Sequence, residues 1–173
     1  MKNNNVVALA GFVLATLCAS SSFAGDARWK SIVGVITAPS VNNPVGNVAA
    51  GTFPWSVQAG KAKVNLSTGA TSFQVQGLVI NGQIFSGTPG PVTAVTGTLV
   101  CNAGDANEME LDTSDVAIDA QGDAQFSGMI DGIPAACYNP LFLIRIATIA
   151  NPDNPNAARG FWIATGAERT VRP

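Results

Sequence analysis

The 173-residue chain contains no histidine and few charged residues. Without histidine it cannot form a Ser-His-Asp or Cys-His catalytic arrangement, and no imidazole can serve as a general base or a metal ligand. Charged residues make up 12% of the chain and hydrophobic residues 47%, which is the opposite of the balance in disordered proteins. The formal net charge of −2 offers nucleic acids and anionic membranes no general attraction. We therefore expect a folded protein with no nucleic-acid partner.

The chain also lacks an apolar run long enough to span a membrane. The run from Val6 to Cys18 is well short of the roughly 20 apolar residues that a span needs. Ser22-Phe23-Ala24 then places small residues at the −3 and −1 positions of a cleavage site before Gly25. This pattern predicts a secretory signal peptide over residues 1–24, one domain over residues 25–173 and an extracellular or periplasmic location.

Only three cysteines are present. Cys18 raises the alternative of a lipid anchor, which Leu17 disfavours because a small residue normally precedes an acylated cysteine. Cys101 and Cys137 form an even pair in a chain predicted to be exported, and this is typical of a disulfide. The rival interpretation, a reactive thiol, lacks a histidine to activate it. We predict a Cys101–Cys137 disulfide that closes a loop of about 37 residues and stabilises the fold by roughly 4 kcal/mol on the chain-entropy model.

Short runs rich in Val, Ile, Thr and Phe alternate with turn residues, of which 18 are Gly and 10 are Pro. Asn81-Gly82 and Gln121-Gly122 are typical hairpin turns. The predicted strands span residues 31–37, 55–59, 62–66, 72–80, 83–85, 92–101, 116–119, 124–130, 141–149 and 161–165. The pattern predicts an all-β fold, either an antiparallel sandwich with Greek-key-like connections or a flattened barrel, with about 8–10 short strands. A βαβ alternation is missing, which excludes a Rossmann-type sheet.

Eight of the eleven acidic residues lie between Asp105 and Asp131, with no Lys or Arg among them. Calcium prefers several hard oxygen ligands from one loop, and the best local set is Asp105, Asn107, Glu108 and Glu110. The segment lacks the glycine and glutamate spacing of an EF-hand loop. We therefore favour a solvated acidic loop and hairpin, and we predict no metal and no other cofactor.

The same carboxylates supply the alternative of a glycosidase acid–base pair. We expect Asp119 and Asp123 instead to accept hydrogen bonds from the backbone of the turn that they flank. Serine–lysine catalysis with Lys61 or Lys63 has no support, because neither Ser-x-x-Lys nor Gly-x-Ser-x-Gly occurs.

Large side chains in apolar surroundings leave further alternatives. Trp29, Trp55 and Trp162 could stack on sugar rings, but we expect them to pack in the interior. Arg145 interrupts the apolar run that begins at Leu141, and a charge there is costly unless it is paired or points outward. Two interpretations stay open: a pair with an acid of the 105–131 segment, or an outward arginine on an edge strand.

Three segments together resemble the CHRD (chordin-type) β-sandwich module over about 30 to 40 residues. They are Ala62-Lys63-Val64-Asn65-Leu66, Ser72-Phe73-Gln74-Val75-Gln76-Gly77-Leu78 and Gly87-Thr88-Pro89-Gly90-Pro91-Val92. The His-x-His of that family is replaced here by Asn81-Gly82-Gln83-Ile84-Phe85, so its metal role does not carry over.

The second half of the chain resembles bacterial secreted proteins without an assigned function. The segments that carry this likeness are Gly97-Thr98-Leu99-Val100-Cys101, Pro134-Ala135-Ala136-Cys137 and Phe161-Trp162-Ile163-Ala164. The resemblance implies a secreted bacterial protein.

The inventory of acids, bases and nucleophiles is thin for catalysis. We expect a secreted, non-enzymatic structural or binding module of the cell envelope or extracellular space, with an extracellular or envelope protein or a glycan as its partner. One alternative is a carbohydrate-active hydrolase that uses an Asp/Glu pair. Another is a self-assembling envelope subunit, because the low charge leaves sheet edges poorly defended.

Overall fold

The computed structural model describes residues 25–37, 43–82, 84–149 and 160–172. Within these ranges the chain forms eleven β-strands and no helix, so no described helix could cross a membrane. The strands are β1 (Asp26–Gly34), β2 (Trp55–Ser56), β3 (Ala59–Asn65), β4 (Ala70–Gln76), β5 (Val79–Ile80), β6 (Val92–Cys101), β7 (Met109–Asp112), β8 (Val116–Ala117), β9 (Ala124–Met129), β10 (Leu141–Ile149) and β11 (Trp162–Arg172). The predicted signal peptide lies outside the described residues.

Nine of the described strands form one antiparallel sheet in the order β7-β6-β10-β11-β1-β3-β4-β9, with β8 also paired to β6. The sheet curls into a half-barrel, and β2 and β5 form a separate two-stranded ribbon. The prediction of an all-β antiparallel fold is confirmed. The flattened barrel describes it more closely than two facing sheets, because a single sheet curls to cover its own apolar face.

The two central strands, β6 and β10, carry most of the apolar core. In β6 every residue from Val95 to Cys101 is buried. Phe142 of β10 packs between two aromatic rings, with ring centroids 5.4 Å from Trp29 and 5.8 Å from Phe73. A Cβ on Gly97 would lie 2.7 Å from the Phe142 ring and 2.8 Å from the Phe73 ring. Glycine at this position therefore lets the aromatic rings approach the backbone of β6.

All three tryptophans are buried, with exposures of 1% for Trp29 and 4% each for Trp55 and Trp162. The indole N–H of Trp162 donates to the Asn43 carbonyl at 2.9 Å. The prediction that these side chains pack in the interior is therefore confirmed, and none of them offers a surface for stacking on a sugar.

Cys101 and Cys137 form the predicted disulfide, with a Cα–Cα distance of 4.8 Å. It joins the end of β6 to the loop before β10. The backbones of the two following residues are also hydrogen-bonded, because Asn102 N donates to Tyr138 O at 3.1 Å. The Asn102 side chain accepts from Tyr138 N at 2.9 Å and donates to Ala136 O at 3.3 Å. The disulfide and Asn102 therefore hold the same loop against β6.

Both hairpins predicted from local turn signals are wrong. β5 pairs with β2, and Ile80 exchanges backbone hydrogen bonds with Gly87 and Thr88 across a longer loop. Residues 119–123 do form a tight turn, but β8 pairs with β6 and β9 pairs with β4. The distant partners prevail because β6 and β4 offer a long ladder and an apolar face, which a two-residue strand such as β8 cannot supply.

Candidate functional site

Four of the described basic residues lie on the outward face of two paired strands. In β1, Arg28 and Lys30 are exposed on either side of the buried Trp29. In β3, the exposed Lys61 and the half-buried Lys63 lie on either side of the buried Ala62. Successive side chains of a strand point to opposite faces, so each strand presents its two cations together. We call Arg28, Lys30, Lys61 and Lys63 the basic face.

The register of the sheet brings these cations side by side and continues them with neutral polar groups. Arg28 is paired across the strands with Lys63. Lys63 is followed by Ser72 of β4 and Ser127 of β9, and Lys61 is followed by Gln74 and Gln125 in the same two strands. We call these four neutral residues the amide row, after the two glutamine amides among them: Ser72, Gln74, Gln125 and Ser127.

Most of these side chains have no partner of their own. Among the described residues, no hydrogen bond or ion pair engages the side chains of Lys30, Lys61, Gln74 or Gln125, nor those of Ser72 and Ser127. An open groove of about 770 Å³ runs over the basic face and the amide row. The groove therefore offers free donors and acceptors to a ligand.

Asp26 is the carboxylate that accompanies the basic face. It is 2.9 Å from Arg28 and 3.0 Å from Lys63, and it accepts a hydrogen bond from Asn65 at 3.0 Å. Hydrogen bonds from Arg28, the larger influence, and from Lys63 lower the pKa of Asp26 from 3.8 to about 2. The end of β11 adds three exposed charged residues beside β1, namely Glu168, Arg169 and Arg172, and Arg169 donates to Pro140 O at 2.7 Å. The face keeps a formal charge of +3, because four cations stand against one carboxylate.

Acidification is expected to remove the stabilisation that Asp26 provides. Its pKa is lower in the folded chain, so the native state favours the charged carboxylate more than the unfolded chain does. The contribution is complete above about pH 4 and is lost as the pH falls through about 2. The difference in thermal midpoint between the unmodified protein and Asp26→Asn should therefore be largest near neutral pH. It should disappear as the pH falls from about 4 to about 2. A difference that stays constant down to about pH 2 would contradict the assignment.

The carboxylates of the acidic segment between Asp105 and Asp131 contact different parts of the fold. Glu108 accepts hydrogen bonds from Asn47 N at 2.7 Å and from Gly104 N at 2.6 Å, so it ties two loops together. Glu110 lies 2.7 Å and Asp112 3.7 Å from Arg145 Nη1. The pairing of Arg145 with an acid of this segment is therefore confirmed, and the outward-facing alternative is wrong. The Arg145 Nε also donates to Gly160 O at 2.6 Å.

The side chains of two of the four candidate calcium ligands have partners, and the other two residues are bonded through backbone atoms. Glu108 and Glu110 are engaged as described, while Asp105 N donates to Asn102 O and Asn107 O accepts from the Asn102 side chain. In the part of the chain that the structure describes, no three His, Cys, Asp or Glu side chains are grouped so as to hold a metal ion. Calcium binding by Asp105, Asn107, Glu108 and Glu110 stays a disfavoured hypothesis.

Asp119 and Asp123 bind backbone amides. Asp119 Oδ1 accepts from Gln121 N and from Asp123 N, both at 2.9 Å. Asp123 Oδ1 accepts from Gly77 N at 2.9 Å and so links the turn to the end of β4. The predicted backbone role of Asp119 is confirmed, whereas Asp123 serves a neighbouring turn. Both residues also line a second groove of about 350 Å³ beside the amide row.

Comparison of the chain with models of protein families, with curated proteins and with solved structures finds no match. The resemblance to the CHRD module stays a prediction from the residues that carry it. Those residues lie in β3, in β4 and in the loop between β5 and β6.

The sequence prediction did not identify the basic face. Lys61 and Lys63 were considered only for serine–lysine catalysis, and residues 26–30 were not assigned to a strand. The alternation of cations with Trp29 and Ala62 indicates one polar face for each strand. Only the pairing of β1 with β3 unites the two faces.

Proposed function

We propose that this chain is a secreted, non-enzymatic binding module of the cell envelope or the extracellular space. The observation that carries the proposal is the basic face with its adjoining amide row, a set of polar side chains on a regular sheet of which all but Arg28 and Lys63 have no partner among the described residues. Such a surface can recognise a ligand by charge and hydrogen bonding without a reacting group. The Cys101–Cys137 disulfide is compatible with an oxidising compartment.

A hydrolase that uses an Asp/Glu pair is the second candidate, because Asp119 and Asp123 line one groove. Hydrolysis needs one carboxyl as an acid and another as a base or nucleophile, placed on either side of the scissile bond. Here one oxygen of each aspartate accepts backbone hydrogen bonds. These contacts favour a structural role for the two residues.

The test measures retention and turnover in one experiment. The exported protein is incubated with a panel of insoluble and soluble envelope glycans, and bound protein and released reducing ends are both recorded. We expect retention on at least one glycan and no reducing ends above the level of a heat-denatured sample. Release that disappears in Asp119→Asn or Asp123→Asn would replace the binding module with the hydrolase. Glycan-independent polymerisation of the protein would instead favour the envelope subunit.

A further inference from the structure

We propose that the basic face and the amide row bind an acidic polysaccharide, whose carboxylate or sulfate groups lie on Lys61 and Lys63 and whose hydroxyls lie on Gln74 and Gln125. The inference rests on the proposed function and adds the chemical class of the ligand.

The positive charge on this surface is concentrated, and a single carboxylate, that of Asp26, compensates part of it. The described part of the chain holds three lysines, and all of them lie on the basic face. Lys30 and Lys61 have no carboxylate partner among the described residues, and Asp26 already accepts hydrogen bonds from Arg28 and Lys63. Lysine carries a strongly hydrated, mobile ammonium that suits exposed anions better than buried pairs. An anionic group is therefore the ligand feature that this face attracts.

The charge of the side chains changes across the strands, from cations through the amide row to the carboxylates of the second groove. Across the strands, Lys61 is followed by Gln74 and then by Gln125. Beyond the glutamines, Asp119 and Asp123 line the second groove. Neighbouring strands lie about 4.8 Å apart, so the Gln74 amide lies next to Lys61. The two aspartates lie on the other side of the glutamines, away from the lysines. A ligand that carries hydroxyls beside each anionic group fits this order, whereas a polyanion without hydroxyls leaves the glutamines without partners.

Other ligands fit this surface less well. Neutral sugars are usually held by stacking on an exposed aromatic ring, but Trp29 and Phe73 are buried beneath the groove and Phe126 stacks on Phe73 at 5.9 Å. Single-stranded nucleic acid also needs aromatic platforms for its bases. A membrane surface would favour exposed apolar side chains, and none of the exposed large hydrophobic residues among those described lines the groove. An acidic polysaccharide needs only the charges and amides that are present.

The test titrates the exported protein with soluble polygalacturonate and with dextran as the neutral control. Lys61→Gln/Lys63→Gln removes two charges, and Lys61→Arg/Lys63→Arg keeps them as the matched control. We expect salt-sensitive binding to polygalacturonate, none to dextran, and an affinity about 2- to 30-fold lower for the glutamine pair only. Asp26→Asn should bind more tightly, because it frees Arg28 and Lys63 from their carboxylate.

Binding of two competing ligands, single-stranded DNA and anionic phospholipid vesicles, is measured with a further variant. Gln74→Ala/Gln125→Ala should weaken binding of polygalacturonate and leave binding of single-stranded DNA and of anionic phospholipid vesicles unchanged. The thermal midpoint of Gln74→Ala/Gln125→Ala should stay close to that of the parent, because neither side chain makes a hydrogen bond or ion pair with the described residues. The midpoint of Lys61→Arg/Lys63→Arg should also stay close, because arginine keeps the positive charge that pairs with Asp26.

Four results would overturn the inference. The first is an equal loss of affinity in Lys61→Gln/Lys63→Gln and in Lys61→Arg/Lys63→Arg, and the second is binding of DNA or vesicles that exceeds binding of polygalacturonate. The third is self-association at low salt that Lys61→Gln/Lys63→Gln abolishes, and the fourth is no binding of polygalacturonate. If a neutral glycan from the panel is still retained in the last case, the ligand class is wrong while the binding module stands. If no glycan is retained, the proposed function fails as well.

Discussion

Replacing Cys101 and Cys137 together by serine is expected to lower the free energy of unfolding by about 2–5 kcal/mol, the usual loss when a small exported domain loses a native disulfide. The bond spans a sequence separation of 36 residues, so opening it releases a large loop in the unfolded chain. It also joins a fully buried cysteine at the end of β6 to a loop without regular strand structure. The measurement is urea unfolding at equilibrium.

Two controls separate the covalent link from the side chains around it. The unmodified protein in excess reductant should unfold at nearly the same urea concentration as the double serine variant. Asn102→Ala in the oxidised protein should cost less, because the disulfide still holds the loop when the hydrogen bonds to Tyr138 and Ala136 are lost. Labelling of both cysteines by an alkylating agent in the native, unreduced protein would contradict the assignment.

The strands that the sequence predicted with correct bounds are those whose described side chains are mostly buried. β6 and β10 were predicted over residues 92–101 and 141–149, and both have these bounds in the structure. Their apolar runs need no information about partners, because any arrangement that buries them is favourable. The composition likewise predicted the all-β class and the disulfide.

Strands that depend on a partner were not predictable in this way. β7 contains Glu110 and Asp112, residue types depleted in strands, and it forms because it pairs with β6 and its carboxylates face Arg145. β11 continues to Arg172 because it pairs with β1 along most of its length, although the apolar pattern ends near Thr165. Local propensity has no access to such pairings.

The candidate site illustrates the same limit at the level of side chains. Each half of the basic face shows a period of two in the sequence, but a charge on one strand acquires its neighbours only through register. The pairing of Arg28 with Lys63 and of Lys61 with Gln74 follows from β3 lying between β1 and β4. The acidic segment between Asp105 and Asp131 shows the opposite relation. Its carboxylates lie close together in the sequence, which suggested one site, but in the fold they make separate contacts.

Gly122→Ala is expected to lower the free energy of unfolding by about 2–5 kcal/mol, from about 1–2 for a left-handed backbone and about 1–3 for overpacking. Gly122 has a φ of 83°, and an added Cβ would lie 2.5 Å from Leu78 O and 2.6 Å from Leu78 N. Backbone atoms cannot rotate away as the end of a side chain can. The clash would also separate the turn from β4, where Leu78 N donates to Gly122 O and Gly77 N donates to Asp123 Oδ1, both at 2.9 Å.

Gly104→Ala is the matched control, because Gly104 has a φ of 82° and an added Cβ would meet no atom within 4 Å. Alanine also keeps the N–H that Gly104 donates to Glu108. This variant should therefore show only the backbone strain of about 1–2 kcal/mol, and the excess loss in Gly122→Ala measures the contact with Leu78. Equal losses for the two variants in urea unfolding would mean that the turn at residues 119–123 does not lie against the end of β4. The position of Asp119 and Asp123 beside the amide row depends on that contact, so this pair of variants also tests the placement of the acidic end of the groove.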